Sequence, residues 1–329
     1  MARYGERAFV INPPAPVLFV LPFVAVFGTA TNQTIISAAV GASAVGLFWV
    51  ATRRLGWDPV ACVLTTWLVA FGTNLWWAST DGSLWTFAHA AAVFFLMAAL
   101  AEAAGRGRPW LVGMLVGLGG LSRLPTFLTF PLFAYLLTRE IQDPGRRIRA
   151  LVAFGLGLGA MAALYLLYNF ARFGTVLDLG YYHPQYFQEP WFTQGRFDLR
   201  YVPRHIHAIL FAGPVFSNSF PFVRPSLVGM GLFLTTPAFL YAFRCPLRGL
   251  SGAAAVATAL TAIPLVTYGI TGWSQFGYRF SLDVLPMLAI LTKGGLGNPL
   301  RPLPLASVAA STFINLWGTL SFNRLGWAV

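Results

Sequence analysis

Seven stretches of this chain, at about 32–52, 59–78, 83–104, 148–169, 226–243, 252–270 and 303–320, are apolar over close to the ~20 residues that a helix needs to cross a bilayer. None of them holds more than one charged side chain. An eighth, shorter run, about 283–292, is broken near Pro286. Composition points the same way: 57% of residues are hydrophobic and 10% charged, where a soluble domain carries about 25% charged residues. A soluble globular fold is excluded. The expected fold class is an all-α polytopic membrane protein, with about eight spanning helices, a short hairpin and an interfacial N-terminal helix, forming one transmembrane domain over 1–329.

The net charge of +12 would suggest a nucleic-acid partner in a soluble protein. Here the bases sort by connector instead, and no nucleic acid is expected. Arg53-Arg54, Arg106/Arg108, Arg139 to Arg149, Arg244/Arg248 and Lys293/Arg301 hold 12 of the 22 bases. The positive-inside rule makes these loops cytoplasmic and the chain a multi-pass protein of the plasma (inner) membrane. Cys62 and Cys245 form no CxxC pair, so redox and zinc chemistry have no support, and no cofactor is expected.

The alternation of sides closes only if 109–138 enters and leaves from one face. Trp110–Leu121 and Pro125–Thr138 are each about 20 Å long as helices, short of a ~30 Å hydrocarbon core. The segment therefore reads as a hairpin whose turn, Ser122-Arg123-Leu124-Pro125, sits below the far surface. At the N-terminus, Pro13, Pro14, Pro16 and Pro22 interrupt what would otherwise pass for a signal peptide. A half-embedded helix over about 15–28, lying at the far face, is expected.

The far side then carries Asp81, a long loop over 171–225 and a second loop over 271–282. The long loop mixes aromatics with Arg and His and contains Asp178 and Tyr181 as candidate ligand contacts. An aromatic belt is its plain alternative. His205 and His207, two residues apart, do not share a helical face and make a weak metal pair. In the shorter loop, Tyr278 and Arg279 follow a glycine-rich stretch, and Arg279 next to a span start suits a lipid-linked phosphate. An i, i+4 pair of Arg279 with Asp283 competes with that reading. Arg123 is the most informative residue, because a charge at membrane depth costs about 2.5–3.5 kcal/mol or more and needs a partner or an anion. Its plain alternative is snorkelling. His89 lies just inside a span, and Asp81 is either a catalytic carboxylate or a turn and capping residue.

Several segments together resemble the GT-C superfamily of membrane glycosyltransferases, of the protein O-mannosyltransferase and aminoarabinose transferase type. They are Asn12-Pro13-Pro14-Ala15-Pro16 ahead of Leu21-Pro22-Phe23; Leu84-Trp85 with His89; Gly117 to Pro125 around Arg123; Tyr168-Asn169 with Arg172-Phe173-Gly174; and Gly272-Trp273 with Phe276-Gly277-Tyr278-Arg279. The resemblance implies transfer of a sugar from a polyprenyl-phosphate donor to an extracytoplasmic acceptor. Arg123 and Arg279 would clamp the phosphate, with Tyr278, His89, Asp178 and Tyr181 lining the substrate site and a carboxylate activating the acceptor hydroxyl.

The chain departs from that pattern at its start. The resemblance implies a first span and an acidic motif in the loop after it, ahead of the Pro-Pro element, where this sequence offers only Glu6; the expectation is either a fragment or an enzyme that has lost its base. Asp81 is the fallback base, and transfer is expected to be weak or absent in a truncated enzyme. Two other classes compete: a transporter or lipid flippase, which also uses broken helices and intramembrane Arg, and a non-catalytic membrane subunit.

Overall fold

The computed structural model describes residues 2–4, 7–9, 12–177, 191–297 and 300–329. A small hairpin, β1 (Ala2–Tyr4) and β2 (Arg7–Phe9), pairs Ala2 with Phe9. The rest is nearly all helical. The first helices are α1 (Val17–Phe27), α2 (Gln33–Arg54), α3 (Pro59–Phe71), α4 (Leu75–Asp81), α5 (Leu84–Ala103), α6 (Pro109–Ser122), α7 (Phe130–Thr138) and α8 (Pro144–Phe173). They are followed by α9 (Val202–Leu210), the hairpin β3 (Val215–Phe216) and β4 (Val223–Arg224), α10 (Leu232–Thr235), α11 (Gly249–Val266), α12 (Leu285–Leu296) and α13 (Pro302–Leu320).

Among the described residues five helices are long and apolar enough to cross a membrane: α2, α5, α8, α11 and α13 with the turn that follows it. The pair α3–α4 passes the same test as one span bent by 45°. These are the helices of a multi-pass membrane protein. Local chemistry sets their ends. Asn32 and Asp58 cap α2 and α3 by accepting from Ile35 N–H (3.2 Å) and Ala61 N–H (2.9 Å), with Pro59 at the first turn, where its missing N–H costs nothing. Gly82 ends α4 in the left-handed region at φ 69°, and a Cβ there would lie 2.4 Å from the Thr34 backbone.

The basic connectors gather at one end. Arg54 donates to Ala101 O at 2.6 Å, Lys293 lies over the Trp57 ring, and Tyr135 at the close of α7 touches the start of α11. At the opposite, far end, Asp198 N–H donates to Thr267 O and Gly269 N–H to Arg196 O, tying the long loop to the end of α11. Helix α5 is the axis of the bundle, with 78% of its span buried, whereas 11% of the α8 span is buried. Contact between α8 and α6 runs along glycines. A Cβ on Gly113 would lie 2.1 Å from Phe154 O, and one on Gly157 equally close to Trp110 O. The two backbones touch because nothing projects between them.

Two expectations need correction. The run 226–243 is not a continuous span: it contains only the single turn α10 and a 3-10 stretch, Pro237–Arg244. Pro237 removes a donor and forces Thr236 out of the helical region. The backbone groups so freed are satisfied by polar side chains of α13: Asn315 donates to Thr235 O (2.8 Å) and Ala238 N–H donates to Ser311 Oγ (3.2 Å). Likewise 283–292 is a 3-10 turn, Arg279–Val284, leading into the 12-residue α12, too short to cross. The hairpin expectation agrees with what is observed. Helix α6 stops at Ser122, Arg123 is extended, and a 3-10 stretch over Leu124–Thr129 leads into α7. Helix α1 is likewise short, with Leu18, Leu21, Val26 and Phe27 exposed, while Phe19 packs on Phe87, Phe94 and Phe95 of α5.

Candidate functional site

Two chain breaks and one helix bring the polar residues together. Arg123 begins the break after α6, where Pro125 bars further helix, and its N–H still donates to Gly119 O at 2.8 Å. Leu121 O, left open by the same break, accepts from Ala15 N–H at 3.1 Å. The Pro-Pro segment thus rests on the hairpin tip. Asp283 sits in the 3-10 turn ahead of α12, and His89 in the first third of α5. At 1.5 Å per residue, each of the three lies about 18–21 Å from the basic end of its helix. In a ~30 Å core that is about 10 Å beneath the far surface.

The Asp283 carboxylate is fully buried. Arg123 grips it in a fork, Nε to Oδ1 at 3.1 Å and Nη2 to Oδ2 at 2.9 Å, and His89 Nδ1 is 3.0 Å from Oδ1. An ionised carboxylate only accepts, so His89 Nδ1 carries the hydrogen between them. The side chain of Arg123 retains 19% exposure. A paired, hydrogen-bonded arrangement of this kind is what a charge at membrane depth requires.

Phe280 is the hub above this network. The guanidinium carbons of Arg123 and Arg279 lie 5.3 and 5.5 Å from its ring centroid, so both cations share one region no wider than those two distances combined. The rings of His89 and His205 lie against it at 6.2 and 6.4 Å. His205 Nε2 is 2.8 Å from Tyr268 O, a pure acceptor, so Nε2 holds the hydrogen, and Tyr278 O–H donates to Nδ1 at 2.8 Å. Burial lowers the pKa of His205 and raises that of the Tyr278 hydroxyl. Arg279 Nη1 donates to Trp273 O at 3.2 Å.

Of the residues singled out from sequence, Arg123, Arg279, Tyr278 and His89 therefore meet around Phe280. Asp81 serves its turn: Ser83 N–H and Thr86 Oγ1 donate to its Oδ2 at 3.1 and 2.7 Å, tying the end of α4 to the start of α5. Asp178 and Tyr181 lie outside the described residues. The carboxylate of Asp283 bonds to Arg123 and His89, where the alternative weighed from sequence was an i, i+4 pair with Arg279. His205 is locked between Tyr278 and Tyr268 rather than paired with His207. Among the described residues no group of three His, Cys, Asp or Glu is placed to hold a metal.

Asp283 as the partner of Arg123 was missed from sequence. The signal available was a lone carboxylate between Leu282 and Val284-Leu285, immediately before Pro286. A cavity of about 470 Å³ lies elsewhere, between α2 and the bent α3–α4 pair. Ala38, Gly41 and Val45 form its floor and Trp49, Trp67 and Trp76 line it, an apolar groove sharing no residue with the Phe280 network. Comparison with protein-family models, with curated proteins and with solved structures returns no match.

Proposed function

We propose that this chain is a glycosyltransferase-like membrane protein that binds a polyprenyl-phosphate-linked sugar at the far face and passes the sugar to an extracytoplasmic acceptor. The observation that carries the reading is the convergence of two guanidinium groups, Arg123 and Arg279, on the single Phe280 ring, at 5.3 and 5.5 Å from its centroid. Fixed cations held in one place stabilise a departing phosphate. Catalysis also calls for a carboxylate base. Asp81 stands at the correct end of the bundle, with its carboxylate committed to the turn.

Arg279 is the residue to test, because removing Arg123 also strips a buried carboxylate of its partner. The full chain, reconstituted in nanodiscs, is titrated with a polyprenyl phosphate. A hydrogen bond to a charged group contributes about 1.5–3 kcal/mol, so Arg279→Gln weakens binding about tenfold to a hundredfold. Unchanged affinity in Arg279→Gln sinks the proposal. One observation, the buried Arg123–Asp283–His89 network at membrane depth, favours a lipid flippase or transporter as the second reading. That reading requires labelled lipid to change leaflets in vesicles, and requires Asp283→Asn to stop it.

A further inference from the structure

The segment 208–223 belongs to a loop between helices, yet its sixteen residues include no charged side chain. It runs from the last turns of α9 into the β3–β4 hairpin, where Val215 pairs with Arg224 and Phe216 with Val223. Instead of folding inward, its large side chains stand out: Phe216 is 77% exposed, Phe220 71% and Phe222 60%, with Phe211 beside them equally open. An exposed apolar patch of this kind marks a partner or a membrane.

The position of the hairpin decides between them. Its base is held at the far mouth of the bundle, where Gly231 N–H, one residue before α10, donates to Ala212 O at 2.7 Å. On the other flank the chain end pairs with it, Leu227 N–H to Val329 O and Val329 N–H to Pro225 O. At the tip, Phe220 meets Trp327 edge to face at 5.3 Å, and Trp327 N–H donates back to Ser321, the residue that follows α13. The three phenylalanines are therefore level with the end of a membrane-spanning helix, the depth at which Trp and aromatic side chains enter the headgroup layer. Arg224 at the hairpin base and Arg204 and His207 on α9 provide the polar border that an interfacial element keeps toward the headgroups.

We infer that the 208–223 hairpin is a monotopic membrane anchor: its occupant is the far leaflet of the same bilayer that the spans cross, entered by Phe216, Phe220 and Phe222. This inference stands apart from the glycosyltransferase reading and holds or fails without it. The test uses the full chain with Cys62 and Cys245 replaced by Ala, reconstituted into phosphatidylcholine vesicles containing a minority of phosphatidylglycerol. A polarity-sensitive fluorophore is attached at Phe216→Cys, at Asn218→Cys, which removes no apolar side chain, and at the exposed control Arg146→Cys.

At 216 and 218 the emission shifts to the blue, lipids with a nitroxide high on the acyl chain quench it, and aqueous iodide quenches it several-fold less than at 146. Free iodide quenching at both hairpin positions overturns the inference. Shielding from iodide without any quenching by nitroxide lipid overturns it as well, and assigns the patch to a protein partner or a second copy of the chain.

Discussion

Replacing Arg123 by Met and Asp283 by Leu, singly and together, probes the buried network directly. Removing one partner of a buried ion pair costs about 3–5 kcal/mol, because the other charge is left without compensation. Asp283 is fully enclosed, so Arg123→Met leaves its carboxylate on the single N–H of His89. Asp283→Leu leaves a guanidinium and an imidazole N–H facing apolar walls. The Arg123 side chain keeps 19% exposure, which places each single change near the lower end, about 3 kcal/mol, or more than a hundredfold in the ratio of folded to unfolded protein. In the double variant only the His89 N–H lacks its partner, at about 1–3 kcal/mol. The double variant is therefore less destabilised than the two single effects combined, by at least about 2 kcal/mol. Reversible unfolding in mixed micelles of rising SDS fraction measures all four corners of the cycle. Single effects below about 1 kcal/mol that add without coupling would show that the three groups are solvated rather than paired, and the depth assigned to them would be wrong.

The contact between α6 and α8 predicts that Gly113→Leu lowers thermal stability in detergent by more than the 1–3 kcal/mol of ordinary overpacking, since the new Cβ meets the Phe154 carbonyl. Gly155→Leu, where the space is open, is the control and stays near wild type. His205 is held neutral by burial, which outweighs the opposing pull of its bond to Tyr268 O, and its pKa lies below that of the unfolded chain. Its contribution is therefore present above about pH 6.5 and is lost as the pH falls below that value. Thermal midpoints at about pH 7 and pH 5 should separate in the wild type and converge in His205→Gln; equal separation in both refutes the assignment.

Much of this architecture was legible because lipid imposes coarse rules. Apolar runs of bilayer length located α2, α5, α8, α11 and α13, and the prolines around Arg123 and after Asn12 located the hairpin break and the short α1. What escaped were partnerships made across the fold. Arg279 and Asp283 stand four apart and suggest a local pair, but the carboxylate bonds to an arginine 160 positions away. Phe280 is one of 29 phenylalanines, and nothing in its neighbours marks it as the ring on which two cations and two histidines converge. The stretch 226–243 read as a span because composition does not show that Thr235, Thr236 and Pro237 open the backbone, nor that Ser311 and Asn315 close it again.

That last repair bears on how the chain is made. In hydrocarbon each unsatisfied backbone group costs several kcal/mol, so the 232–244 stretch cannot settle at depth while its only neighbours are lipid tails. Its partners Ser311 and Asn315 stand 73 and 80 positions further along the chain. The backbone of this stretch is therefore fully paired only once α13 has packed against it.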